Sequence, residues 1–83
     1  MAGSDYQLGE QLVGRCVYWR ADDRQNFGFV RVSGRAKDLF VAGRNCESGA
    51  LEPGELVRLE VGVDRRGRWE GIYVERVEQE DCA

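Results

Sequence analysis

The chain has 83 residues, a net charge of -3 and no histidine. This length fits one domain. No apolar run approaches the roughly 18 residues of a membrane span, and Ser–His or Cys–His nucleophiles are excluded. Cys16, Cys46 and Cys82 form no CxxC pair, which favours two buried thiols and one in the tail over a disulfide scaffold or a zinc site. We therefore expect a cytoplasmic protein, with a nuclear location left open, that has no cofactor, no metal and no enzymatic activity.

Positive charge is concentrated in two zones of the chain. Residues 15–44 carry seven bases against three acids, and residues 65–69 carry three arginines and no acid, while the remaining segments are acidic. Eleven of the twelve bases are arginine, which pairs bidentately with phosphate and stacks on flat rings better than lysine does. A locally positive face is therefore compatible with the negative total.

Apolar residues alternate with a period of two along most of the chain, which predicts β-strands. The first predicted strand covers residues 11–20, the second is "QNFGFVRV" at 25–32, and the third covers 37–43. An irregular stretch that contains the only proline follows. It separates these strands from a fourth at 56–61 and a fifth at 69–77.

Five short strands without crossover helices predict an all-β fold. The long third connection fits a five-stranded antiparallel Greek-key barrel of the oligonucleotide-binding class, the OB-fold. A small SH3-like barrel remains an alternative, because strand counting does not separate the two. We predict a domain over residues 11–77, an acidic tail over 78–83, and an N-terminal extension over 1–10 that is disordered or foreign to the natural protein. The predicted core comprises Val17, Val30, Val32, Leu39, Val41, Val57, Leu59, Val61 and Val74.

The second and third strands are predicted to carry aromatic rings on their outer face. Successive residues of a strand point to opposite faces, and Val30 and Val32 belong in the core, so Phe27 and Phe29 point outward. The same alternation turns Phe40 outward. Such a patch is costly unless something covers it. Nucleic-acid bases that stack on it, at about 1–3 kcal/mol each, or another protein domain would do so. A strand phase misread by one residue would instead bury both rings of the second strand.

Five segments, in order, are similar to the motifs of cold-shock domains. They are "VYWR", "NFGFV", "DLFVAG", "LEPGELVRLEV" and "GIYVERV", and together they cover about residues 15–77. The triplet "FGF" alone is a weak signal. Followed by "DLFV" and "LEPG" at these distances it is fairly specific. The chain therefore resembles the cold-shock family, and most of all its divergent modules within larger RNA-processing proteins.

The resemblance implies a barrel that binds single-stranded RNA or DNA by stacking bases on rings. Trp19 matches the tryptophan of the family's first strand, Phe27 and Phe29 match the stacking rings of the second, and Phe40 matches a ring of the third. Two stacking groups of the family are missing, since Ala42 and Gly43 stand in their places. We expect these losses to lower the affinity and leave the fold intact.

The leading hypothesis is a module that binds single-stranded nucleic acid, more specifically RNA, without acting on it chemically. The alternative is a protein-interaction barrel within a larger RNA-processing protein, in which a partner covers the same rings. Trp69 either replaces part of the lost stacking surface or packs at the barrel edge, and the arginines beside it lie within reach of phosphates or form a solvated turn. The candidate binding residues are Trp19, Arg20, Phe27, Phe29, Arg31, Phe40, Arg44, Arg66, Arg68 and Trp69.

Overall fold

All five predicted strands form in the computed structural model of the chain, which describes residues 6–77. The strands are β1 (Gln11–Ala21), β2 (Asn26–Arg31), β3 (Leu39–Ala42), β4 (Leu56–Val63) and β5 (Trp69–Arg76). One 3-10 turn, Gly43–Asn45, follows β3 and is the only helical element in the part of the chain described. The all-β prediction is confirmed.

The strands close into a barrel in the order β1-β2-β3-β5-β4, with β4 returning to pair with β1. This arrangement is consistent with an OB-fold-like barrel. The pairs β1–β2, β2–β3, β1–β4 and β4–β5 are antiparallel, whereas β3 and β5 are parallel. The expectation of a strictly antiparallel barrel is therefore wrong for one pair. The long connection carries the chain away from β3, so that β5, and not β4, closes the sheet beside it.

The inner face of the barrel is lined mainly by β-branched and leucine side chains. Of the nine predicted core residues, all but Val17 are at most 6% exposed. Cys16 and Cys46 are buried, as predicted, whereas Cys82 lies outside the described residues. Tyr6 and Leu51, which lie outside the predicted strands, belong to the same core cluster.

Val17 is 36% exposed, so its assignment to the core is wrong. The register between β1 and β2 shifts between Cys16 and Tyr18, so that Val17 is an extra residue in β1. Such a bulge reverses the alternation of faces along the strand. Cys16 therefore takes the inner position before the bulge, and Tyr18 lies on the outer face after it.

Gly28 makes room for the ring of Trp19. The two residues are opposite each other in β1 and β2. A Cβ atom at Gly28 would lie 2.3 Å from Trp19 Cε3 and 2.2 Å from the Tyr18 carbonyl oxygen. Because no side chain fits there, the glycine between the two phenylalanines is required by packing on the inner face.

Residues 6–10, which we assigned to an N-terminal extension, contact the barrel. Tyr6 is 1% exposed, and its hydroxyl donates a hydrogen bond to the carbonyl oxygen of Lys37. The amide of Gly9 donates to the carbonyl of Val61 at 2.8 Å, and the amide of Val61 donates to the carbonyl of Glu10 at 2.8 Å. The rest of the proposed extension, residues 1–5, and the proposed acidic tail, residues 78–83, lie outside the described residues. None of the helical structure in residues 6–77 is long and apolar enough to cross a membrane.

Candidate nucleic-acid interface

Four aromatic rings form one cluster on the outer face of β1, β2 and β3. Phe27 and Phe40 are stacked, with ring centroids 5.6 Å apart and an interplanar angle of 27°. Phe29 meets Phe40 edge to face at 6.0 Å. Tyr18 lies 6.2 Å from Phe27 and 6.1 Å from Phe29. The three phenylalanines are partly exposed and lie outside the buried core, as the alternation of faces predicts. We call these four rings the ring cluster.

The strand registers place part of this cluster in one straight row across the sheet. Tyr18 is opposite Phe29, and Phe29 is opposite Phe40. Phe40 is in turn the neighbour of Glu70 across the parallel pair, and Glu70 faces Gly62 on β4. Side chains opposite each other on adjacent strands lie on the same face of the sheet. The row therefore consists of three rings and a carboxylate.

A groove of about 600 Å³ lies beside the ring cluster. Arg68 covers part of it, with its guanidinium carbon 5.8 Å from the centre of the Phe40 ring. Trp69 lines the same groove and also packs against the core, with Tyr6 at a ring distance of 6.3 Å. Trp69 therefore lies between the groove and the core, and its part in stacking stays a prediction. The groove is lined by Tyr6, Phe27, Phe29, Lys37, Asp38, Phe40, Gly67, Arg68 and Trp69.

Trp19 lies away from the ring cluster. Its ring packs over Gly28 against the core, and its indole N–H donates a 2.9 Å hydrogen bond to Asn26 Oδ1. Asn26 Nδ2 donates in turn to the carbonyl of Gly49 at 2.7 Å. The same amide fills the space next to Gly43, where a Cβ atom would lie 2.1 Å from Nδ2. Because of the bulge in β1, Tyr18 and not Trp19 is the aromatic residue of that strand that joins the rings.

Three of the candidate arginines are held by neighbouring carboxylates. Arg20 pairs with Asp22 at 3.1 Å, Arg31 with Asp38 at 3.1 Å, and Arg68 with Asp64 at 3.0 Å. In each pair the arginine side chain is more than half exposed. Of the three, the Arg20–Asp22 pair is the one with both partners well exposed, at 53% and 43%. An exposed ion pair contributes little stability, so Arg20 remains able to exchange its carboxylate for a phosphate.

Other arginines are not neutralised in this way. Within residues 6–77, Arg44, Arg65 and Arg66 form no ion pair with a carboxylate. Together with Arg68 and Phe40 they line a second depression, which we call the arginine trough. Its walls carry four arginines against the carboxylates of Asp64 and Glu70. The trough is therefore positive, although the chain is negative overall.

Asp64 holds the turn between β4 and β5 in place. Its carboxylate accepts hydrogen bonds from the backbone amides of Arg68 and Arg66, both at 2.9 Å, and from the Arg68 guanidinium. These bonds lower the pKa of Asp64, the Arg68 amide most of all. Asp22 has the same role between β1 and β2, where the amides of Arg24 and Gln25 lower its pKa. The turn that Asp64 fixes therefore presents Arg66 and Arg68 beside Phe40.

Tyr18 and Glu70 are parts of this surface that the sequence analysis missed. Tyr18 directly precedes Trp19, and after the bulge at Val17 it lies on the outer face opposite Phe29. Glu70 lies in an acidic segment, where a carboxylate in a strand is usually taken to face solvent. The parallel pairing that brings it beside Phe40 follows from the barrel closure, which strand alternation does not reveal.

Comparison with known proteins identifies no family for this chain. No family model matches it, and no curated protein is significantly similar to it. The resemblance to cold-shock domains therefore stays a prediction. Residues 6–77 contain no group of three or more histidine, cysteine or acidic side chains placed to hold a metal ion.

Proposed function

We propose that this barrel is a cold-shock-like module that binds single-stranded nucleic acid, and RNA in particular. The observation that carries the proposal is the ring cluster on the outer face of the sheet, bordered by the arginine trough. Rings on a sheet offer flat surfaces on which unpaired bases stack, and the positive border attracts the phosphates that connect them.

The geometry of the cluster suits a single strand better than a duplex. The rings of Phe27, Phe29 and Phe40 lie within 5.6 to 6.1 Å of one another and are tilted differently. Bases can stack on such rings only when their faces are exposed, as they are in single strands. A duplex would bring only its phosphates to the trough, and the rings would contribute nothing to its binding.

The unpaired arginines support nucleic acid over a protein partner. Arg44, Arg65 and Arg66 line the trough beside Phe40, next to the ion-paired Arg68. Guanidinium groups match phosphate oxygens bidentately. A protein partner that covered the rings would have to supply carboxylates to the same place, and its binding would then depend on those groups and not on bases.

A fluorescence titration tests the proposal. Trp69 lines the groove beside the rings whereas Trp19 packs over Gly28, so a bound strand should change the emission of Trp69. We expect a single-stranded RNA of about eight nucleotides, within the site sizes known for such barrels, to quench the wild type at low salt. The Trp19→Phe variant should keep this response, and the Trp69→Phe variant should lose most of it.

The matched ligand control is a duplex of the same sequence, which should bind much more weakly. If the single strand and the duplex bind equally, stacking on the rings is not the mode of binding. If neither binds at low salt, the nucleic-acid proposal fails. The ring cluster would then be assigned to the alternative, contact with another protein domain.

A further inference from the structure

Glu70 stands out in the row that crosses the sheet. It is the neighbour of Phe40 across the parallel pair, and adjacent strands are only about 4.8 Å apart. The next residue, Gly71, points inward, since a Cβ atom there would lie 3.0 Å from Leu59 and from Val41. Glu70 therefore points to the same outer face as Phe40, and both line the arginine trough.

One oxygen of the Glu70 carboxylate is buried without a hydrogen-bond donor among the residues described. The residue is 9% exposed, and its Oε1 atom has no partner among the residues described. Buried polar atoms nearly always have a partner, and an ionised group without one is costly to keep away from water. An orphaned oxygen beside the partly exposed Phe40 ring leaves room for a donor from outside residues 6–77.

The arginines of the trough do not provide this donor. Arg68 is bound to Asp64, and Arg44, Arg65 and Arg66 form no ion pair with Glu70 in residues 6–77. Arginine in this trough is thus left for phosphates, while Oε1 of Glu70 is left for a neutral donor group.

We propose that Glu70 selects the base that stacks on Phe40, and that it accepts a hydrogen bond from the exocyclic amino group of that base. An ionised carboxylate can only accept hydrogen bonds. Cytosine N4 and adenine N6 carry amino groups that donate to it, whereas uracil presents its O4 oxygen at the same place. The site therefore favours an amino-bearing base over uracil. This inference rests on the proposed function.

The test compares RNA strands of about eight nucleotides that differ at one central position. One strand is all uridine, and the others carry a single cytidine or a single adenosine. We expect the wild type to bind the cytidine and adenosine strands about tenfold more tightly than the uridine strand, near the lower end of what a hydrogen bond to a charged group contributes.

The Glu70→Gln variant removes the selectivity while keeping the shape of the side chain. Its amide can donate to uracil O4 as well as accept from an amino group. The ratio of the affinities for the cytidine or adenosine strand and the uridine strand should therefore fall to about one. Loss of a negative charge beside the phosphates should also raise the affinity for all strands. Because this increase is the same for each strand, it does not change the ratio of their affinities. Glu60→Gln on β4 removes the same charge outside the trough, and this control should keep the tenfold preference.

A change on the RNA side gives the same test without altering the protein. A central N4,N4-dimethylcytidine keeps the ring but has no N–H to donate, and it should bind the wild type no better than uridine does. Equal wild-type binding of all strands, or an unchanged preference in Glu70→Gln, would overturn the inference while the proposed function stands. If no strand binds the wild type at all, both proposals fail.

Discussion

Trp19 packs so closely against Gly28 that its ring fills the space in which any side chain at position 28 would lie. A Cβ atom at Gly28 would lie 2.3 Å from Trp19 Cε3 and 2.2 Å from the backbone oxygen of Tyr18. The backbone contact cannot be relieved by a rotamer change. This relationship fixes how β1 and β2 approach each other directly behind Phe27 and Phe29.

We expect Gly28→Ala to destabilise the fold by about 1–3 kcal/mol or more, the usual cost of overpacking. Gly62→Ala is the matched control, because the nearest atoms there, at 3.0 Å, belong to the flexible Ile72 side chain. Urea denaturation of the two variants measures the difference. Equal stabilities would show that the close approach of Trp19 to Gly28 does not limit the size of residue 28.

Binding should depend on salt through the arginine trough. Single-stranded binding weakens with a slope of about -0.7 in log K against log salt for each phosphate contacted. We expect three to five contacts, hence a slope of about -2 to -3.5, and an affinity in the micromolar range. Arg66→Gln should reduce the slope by about 0.7. Arg76→Gln, which removes an arginine paired with Glu55 away from the trough, should leave it unchanged. A slope near zero in the wild type contradicts an electrostatic contribution.

Acid should weaken the fold through carboxylates whose pKa is lowered. The Arg35 side chain lowers the pKa of Glu10 below its ordinary value of 4.5, and the Arg68 amide lowers that of Asp64 below 3.8. As the pH falls, the unfolded chain takes up protons at the ordinary values before the folded chain does. The stability from these groups is therefore complete above about pH 4.5 and is lost as the pH falls through the lower, folded pKa values.

Urea unfolding measured from pH 7 down to pH 2 tests this expectation. Asp64→Asn keeps an oxygen that accepts from the two backbone amides but carries no charge, so its stability should depend less on pH than that of the wild type. Asp23→Asn is the control, because Asp23 is exposed and forms no ion pair within residues 6–77. Identical acid dependence in wild type and Asp64→Asn would show that Asp64 does not contribute.

The two described thiols should be inert in the folded protein. Burial raises the pKa of Cys46 to about 11 and raises that of Cys16 as well. Because the thiolate is the reactive form, neither should react with a disulfide reagent at pH 8. A Cys82→Ser variant removes the third thiol from the measurement, and urea should then release two reactive groups. Rapid reaction of either thiol without urea would contradict this packing.

The alternation of apolar residues was enough to predict five strands and the outward position of Phe27, Phe29 and Phe40, because valines fix the inner face of β2 and β3. The alternation failed in β1, where Val17 is an extra residue that reverses the faces of the strand. Nothing in the sequence of β1 shows that this residue is extra. Bulges depend on how two strands pair, and alternation within one strand does not report that.

The other differences between the predicted and the observed structure also arise from contacts between different segments of the chain. Tyr6 precedes the first periodic segment, so nothing near it in sequence indicates that it packs against Trp69 and below Arg35. The place of Glu70 beside Phe40 depends on a parallel pair formed by strands about thirty residues apart in the chain. Contacts of this kind are set by barrel closure. The sequence pattern therefore predicted the rings of the site more fully than it predicted its charged residues.

The most direct test of the central claim combines binding and thermal melting of Phe27→Ala and Phe29→Ala. We expect each variant to bind single-stranded RNA more weakly by about 1–3 kcal/mol while it remains folded, because both rings lie outside the core. Tyr73→Ala, which removes a ring that is 77% exposed and does not line the groove, should bind like the wild type. If both phenylalanine variants melt and bind like the wild type, the ring cluster does not bind nucleic acid and the account is contradicted.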